Sequence, residues 1–240
     1  MSGSDGRLSG RIALITGASR GIGAAIARRY AAEGAQVVLA ARTVGGLEEV
    51  DDAIRAASAG ALQATLVPID LRNGVEIDQL TTAIAQRFGR LDILVGNAAI
   101  LGEMTPVGQI EPDSWDDVVA VNLTANWRLI RGLEPLLLAS DAGRAIFLTS
   151  AVAGGRAYWG AYAVTKTGVE ALARTWAQEV EKTALRINVV NPGAVRTGMR
   201  AKAYPDEDPM TLRPPKDVTE IFVELAEPGC TRHGEVLSAQ

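Results

Sequence analysis

What this 240-residue chain has little of narrows its chemistry before any motif is read. It holds one cysteine, Cys230, so no intrachain disulfide can form, which fits a reducing compartment. Its one histidine, His233, stands between Arg232 and Gly234 with no second ligand at metal spacing, so it reads as a loop residue and no metal site is expected. The acidic run Asp206-Glu207-Asp208 reads as a solvated loop face. Aromatic residues make up 5%, and the four tryptophans read as helix-packing residues. Trp159 stands apart, because it lies three residues before Tyr162 and can wall a site there. No apolar run approaches the length of a bilayer span, and Met1 to Gly10 lacks the apolar core of a signal peptide. No block of like charge marks a disordered tail. A formal net charge of −4 argues against a nucleic acid or an anionic membrane as partner. The expectation is a cytoplasmic protein with a small-molecule ligand.

What is present is an ordinary globular composition, 48% apolar and 22% charged, long enough for a substantial core. Apolar, β-rich segments alternate with helical patterns. Strands are predicted at Arg11–Thr16, Gln36–Ala41, Leu62–Ile69, Leu91–Val95, Arg144–Thr149, Leu185–Val190 and Gly234–Leu237. Helices are predicted at Gly21–Glu33, Val44–Ser58, Val75–Phe88, within Asp113–Ala139, at Ala161–Lys182 and at Lys216–Leu225. This alternation describes an α/β fold, a doubly wound parallel sheet of about seven strands with helices on both faces. No linker or repeat interrupts the series, so residues 1–240 read as one domain, with 1–7 flexible. Asn191–Pro215 carries five of the ten prolines and reads as a long functional loop.

Tyr162 and Lys166 lie four apart at the start of a predicted helix, so the phenol and the ammonium project from one face. A cation beside a phenol favours the phenolate and pulls its pKa toward neutrality, which makes the pair a proton-transfer device. The spacing alone is weak evidence; it needs a cofactor site and polar partners around it. Thr16-Gly17-Ala18-Ser19-Arg20-Gly21-Ile22-Gly23 supplies a glycine-rich turn between the first strand and first helix, where a pyrophosphate can lie against free N–H groups. The second strand ends Ala40-Ala41-Arg42-Thr43, with no acid to accept from a ribose 2′-hydroxyl. Arg42, with Arg20 nearby, suits a 2′-phosphate instead, so NADP(H) is preferred over NAD(H).

With these motifs the chain resembles the short-chain dehydrogenase/reductase family from about Leu8 to Leu237, which implies a Rossmann-type fold. The turn matches T-G-x-x-x-G-x-G, and Asp70, followed by Leu71, matches the family's acidic contact to the adenine. Asn97-Ala98-Ala99 resembles the segment beside the adenosine ribose, with Ala99 where glycine is usual. Pro192-Gly193-Ala194-Val195-Arg196-Thr197 matches P-G-x-x-x-T, whose threonine contacts the nicotinamide carboxamide. The resemblance makes Tyr162 the general acid in reduction and the base in oxidation. Lys166 then binds the nicotinamide ribose and lowers the Tyr162 pKa, and Asn122 holds a water that relays protons to solvent. The family also orients substrate with a serine thirteen residues before the tyrosine. Here that position is Thr149, while Ser150 lies twelve before; the motif text favours Ser150.

The implied activity is reversible reduction of a ketone or aldehyde to an alcohol. A more specific version acts on a 3-oxoacyl group on a carrier protein or coenzyme A, with Arg196, Arg200, Lys202 and Arg213 as a docking patch. A non-catalytic NADP-binding sensor or scaffold is the reading from another class. Val164, Gly168, Ala171 and Thr175 form a small, weakly polar face behind the Tyr162 helix, which suits contact with a second copy in a homodimer or homotetramer.

Overall fold

Seven apolar segments become seven strands of one sheet, all parallel, in the order β3-β2-β1-β4-β5-β6-β7. The computed structural model describes residues 6–60 and 62–239. The strands are β1 (Ile12–Thr16), β2 (Gln36–Ala41), β3 (Thr65–Pro68), β4 (Ile93–Gly96), β5 (Arg144–Leu148), β6 (Arg186–Asn191) and β7 (Val236–Ser238). Every residue of β1, β4 and β5 is buried, because helices cover both faces of the sheet.

Strand alternation sends neighbouring side chains to two separate cores. Ala13 and Ile15 face one side, with Ile26 and Tyr30 of α1 (Gly21–Ala32), Leu47 of α2 (Val44–Ala57) and Phe222 of α8 (Glu220–Ala226). Leu14 faces the other, with Leu80 of α3 (Gly74–Phe88), Leu129 of α5 (Ala125–Leu138) and Trp176 of α6 (Gly160–Glu179). The Tyr30 hydroxyl donates to the Phe222 carbonyl at 2.7 Å, which locks α1 to α8. The order of strands reverses between β1 and β4, and a crevice opens at the carboxyl ends of the strands there.

Several predicted boundaries move. β3 is shorter than the apolar run Leu62–Ile69, pairing with β2 only from Thr65 to Pro68. The helix within Asp113–Ala139 is two helices, α4 (Pro112–Val119) and α5, joined by a π-helical turn at Ala120–Thr124 that contains Asn122. The Pro-rich segment holds a short helix, α7 (Gly198–Ala203), whose first turn is capped by Thr197 accepting from the Arg200 N–H at 3.2 Å. The helix predicted from Lys216 begins as a 3₁₀ turn over Pro215–Val218, and α8 starts only at Glu220. Of the N-terminus expected to be flexible, residues 1–5 lie outside the described residues. Arg7 is tied down, with ion pairs to Glu220 and Glu227. His233 is no free loop residue either. Its Nδ1 accepts from the Ile187 N–H at 3.2 Å and its Nε2 lies 2.8 Å from the Ala177 carbonyl, a clamp between β6 and α6.

Candidate active site

The turn after β1 is shaped for close approach of a ligand. Gly17 and Gly21 take φ of +65° and +59°, in the left-handed region that glycine tolerates best. A Cβ on Gly17 would meet Asn97 Nδ2 at 2.8 Å, and one on Gly23 would meet the Gly17 carbonyl oxygen at 2.4 Å. Gly23 therefore serves packing of helix on turn and does not line the cleft, whereas Gly17, Ser19, Arg20, Gly21 and Ile22 do. No side chain caps the start of α1, so its first N–H groups point toward the crevice. The buried Thr16 hydroxyl accepts from the N–H groups of Asn97 and Ala98, each at 3.1 Å, and joins the turn to the end of β4.

A cavity of about 410 Å³ runs from this turn along the strand ends. Arg42 and Thr43 border it at one end, Asp70 and Leu71 beside them, then Asn97 and Ala98, and Tyr162, Lys166, Pro192 and Thr197 at the other end. The Asp70 carboxylate is held by Arg72, Nη2 to Oδ2 at 2.6 Å, and that bond keeps its carboxyl below the usual range. Gly193 and Val195 do not border the cavity. Gly193, at φ +72°, makes the turn after β6, and buried Val195 anchors the segment by a bridge to Arg213.

Asn122 also lies off the cavity wall, wholly buried. Its Oδ1 accepts from the Ile100 N–H at 2.8 Å, and its Nδ2 donates to the Ile100 carbonyl at 3.0 Å and to Thr165 Oγ1 at 3.2 Å. Its own carbonyl accepts from Asn126 Nδ2 at 2.7 Å. The side chain thus fastens the π-helical turn to the loop after β4 and to α6.

The two candidate hydroxyls at the end of β5 part company. Thr149 is buried, borders the cavity, and donates through Oγ1 to Glu170 Oε1 at 2.7 Å, while the half-buried Ser150 does not border the cavity but lies near enough to the Tyr162 phenol to lower its pKa. The loop between them and α6 spends its turns on Gly154 and Gly155 at φ of +93° and +111°, and on Tyr158 at +70°, an uncommon conformation for a non-glycine residue.

Tyr162 is 8% exposed and Lys166 3%. Lys166 Nζ donates to the Leu148 carbonyl at 2.8 Å and lies 5.6 Å from the centre of the Tyr162 ring. Burial pushes the Tyr162 phenol up to about 12, against the Ser150 contact that pulls it down. Burial pulls the Lys166 ammonium down to about 8. The sequence-based expectation that Lys166 brings the phenol toward neutrality is therefore overridden in the free cleft. Loss of hydration for the phenolate sets the direction, and Ser150 is the group that opposes it.

The short chain dehydrogenase profile matches residues 11–208. The chain belongs to the short-chain dehydrogenase family. It is 40% identical over 219 residues to an uncharacterized Escherichia coli K12 oxidoreductase, YciK, covering 91% of this chain and 86% of that one. A short chain dehydrogenase from Pseudomonas syringae superposes with a TM-score of 0.94 at 44% identity, over 100% of this chain and 98% of that one. One from Escherichia coli CFT073, solved with NADPH, superposes with a TM-score of 0.93 at 38% identity, over 99% and 100%. This chain is accordingly an oxidoreductase with a Rossmann-type nucleotide-binding fold.

Beyond Tyr162, this short-chain dehydrogenase carries an aromatic stack. Trp159 packs on Tyr162 with ring centroids 5.8 Å apart, and Tyr204, just after α7, packs on Trp159 at the same separation. The Tyr204 hydroxyl accepts from Arg156 Nη1 at 2.8 Å. Its ring lies 3.7 Å from the Arg200 guanidinium, which Glu207 holds by two bonds of 2.6 Å. Leu101, Val152 and Met199 complete an apolar cluster around the phenol. Trp159 is marked by its place three residues before Tyr162, whereas Tyr204, Arg156 and the Leu148 carbonyl carry no such mark. A backbone acceptor leaves no side-chain signal, and a stack between two loops has no fixed spacing.

Proposed function

We propose that this enzyme reduces a ketone or aldehyde to an alcohol, reversibly, with NADP(H) as the redox partner and Tyr162 as the proton donor. The observation that carries the reading is the environment of Tyr162. Tyr162 borders the cavity at the strand ends, burial keeps its phenol protonated at neutral pH, Ser150 lies beside it, and Lys166 lies one helical turn away. NADPH, when bound, supplies the hydride. The uncapped start of α1 and the glycine turn would hold its pyrophosphate. Arg20 and Arg42, both exposed at the cavity rim, would take the 2′-phosphate. Asp70 and Leu71 would border the adenine, Asn97 and Ala98 its ribose, Lys166 the nicotinamide ribose, and Pro192 to Thr197 the carboxamide.

Ser150 would donate to the substrate oxygen and orient it toward Tyr162. Both Asn122 amide hydrogens are used, so a water linking Lys166 to solvent would donate to a free lone pair on an Asn122 carbonyl oxygen. The α7 segment would cover the substrate, anchored by Tyr204.

A small free carbonyl compound is favoured over a carrier-bound 3-oxoacyl group. Of the four cations expected to form a docking patch, Lys202 is exposed, but Arg200 is held by Glu207, Arg213 donates to the carbonyls of Ala239 and Asp217, and Arg196 donates to Met210 Sδ. Such cations serve the segment's own fold. We further propose a homodimer or homotetramer built on the α6 face, where Val164 is 51% exposed, with Trp127 of α5 at 45%. No helix among the described residues is long and apolar enough to cross a membrane; a cytoplasmic setting, where NADPH is available, belongs to the same proposal. Following NADPH absorbance with a carbonyl panel tests the reading: oxidation that needs a carbonyl supports it, and NADPH binding without turnover of any member contradicts it.

A further inference from the structure

Three consecutive residues at the end of β5 are each tied to a different turn of α6. The Leu148 carbonyl accepts from Lys166, the Thr149 hydroxyl donates to Glu170, and Ser150 lies beside the Tyr162 phenol. Tyr162, Lys166 and Glu170 are spaced by four and form one stripe along the helix. Thr149 and Ser150 are adjacent hydroxyls on extended chain, so they leave the backbone in opposite directions. Only one of them can meet the phenol, and the choice depends on how the strand end is held. The Thr149 N–H continues the strand pairing to the Val190 carbonyl at 2.9 Å, which leaves its side chain as the part still to be fixed. Glu170 does this from a largely covered position, 17% exposed, with its other oxygen 3.5 Å from Arg174 Nη2.

We infer that Glu170 is a positioning residue: by accepting the Thr149 hydroxyl it holds the end of β5 in the orientation that leaves Ser150 facing Tyr162. The kinetic consequence rests on the proposed use of Tyr162 as proton donor; the geometric consequence does not. Glu170 touches neither the phenol nor the cavity, and acts through Thr149. If so, Glu170 matters only while Thr149 carries a hydroxyl that must be kept in place.

The test uses the full chain with bound NADPH and four variants: Glu170→Gln, Glu170→Leu, Thr149→Val, and the double variant Thr149→Val with Glu170→Leu. One readout is the ζ-carbon resonance of Tyr162 at neutral pH, in protein labelled at that carbon and assigned through Tyr162→Phe. Glu170→Leu is expected to move it in the same direction as Ser150→Ala, while Glu170→Gln, whose amide oxygen still accepts, stays at the wild-type position. The second readout is turnover of ethyl acetoacetate. Glu170→Leu is expected to lower kcat roughly tenfold, the loss of one oriented hydrogen bond, with NADPH affinity unchanged. The double variant is expected to match Thr149→Val alone in both readouts. A Glu170→Leu resonance at the wild-type position, a Gln variant as altered as the Leu variant, or additive effects in the double variant would overturn the inference. Loss of thermal stability with an unmoved resonance would likewise leave Glu170 merely structural. If the resonances behave as expected but no ethyl acetoacetate is consumed by any form, the positioning role stands and the reading of Tyr162 as proton donor to this ketone fails.

Discussion

The Lys166 ammonium lies 5.6 Å from the centre of the Tyr162 ring, yet its hydrogen bond runs 2.8 Å to the carbonyl of Leu148. The pair is a lysine anchored to a strand end beside a phenol that burial keeps protonated. In the free enzyme this favours the acid form of Tyr162, the form needed to deliver a proton in reduction.

The buried lysine has a signature in the pH dependence of stability. Its pKa is depressed from 10.5 to about 8 by burial. Below pH 8 both folded and unfolded lysines are protonated, and the burial penalty is fully present. Between pH 8 and 10.5 the unfolded state binds more protons, so stability rises with pH and the penalty disappears. Lys166→Met removes the charge at similar volume. The melting temperature of wild type relative to this variant should rise across that window in cofactor-free protein, and a constant difference would contradict the burial argument. Turnover of the variant should fall at every pH.

Arg42 and Arg20 should separate the two cofactors. Replacing Arg42 with Ala should weaken NADPH binding about ten- to hundredfold, the range for loss of charge-assisted contacts, and leave NADH binding within about twofold. Fluorescence titration of both nucleotides measures this. Equal loss for both would place Arg42 outside the 2′-phosphate contact.

Much of this molecule is legible in its sequence because local chemistry and burial agree. β2 runs from Gln36 to Ala41 as its apolar pattern predicts, and α3 starts within one residue of its predicted position. There Asn73 accepts from the N–H groups of Val75 and Glu76. Elsewhere the deciding contacts come from distant parts of the chain. Leu62 and Ala64 give their N–H groups to Ser58 Oγ and Asp51 Oδ1 of the preceding turn and helix, so pairing with β2 begins only at Thr65. The turn at Asn122 is π-helical, and its side chain is bound to Ile100 and Thr165, 22 and 43 residues away. The same holds in the site: the glycine turn and Tyr162 carry recognisable spacing. The contest between Thr149 and Ser150 is decided by Glu170, which no motif marks.

Tyr204 joins the α7 segment to the substrate side of the cleft through Trp159, Arg156 and Arg200. Tyr204→Ala should raise KM for the carbonyl substrate by roughly tenfold, loosen the segment 197–215 to proteolysis, and leave NADPH affinity within about twofold. Unchanged KM and unchanged proteolysis would show that the stack does not govern closure.

The α6 face gives a prediction on assembly. Ala171→Glu places a charge on an exposed position of that face and should lower the molar mass measured by light scattering, if copies meet there. An unchanged mass would move the interface elsewhere.

The central claim is that Tyr162 delivers the proton while taking little part in holding the nucleotide. Tyr162→Phe keeps the ring against Trp159 and removes only the hydroxyl. Measured with NADPH and a carbonyl that the wild type reduces, the variant should lose turnover by about two to four orders of magnitude, the range for a general acid, with an NADPH Kd within about threefold of wild type. Turnover equal to wild type would contradict the account.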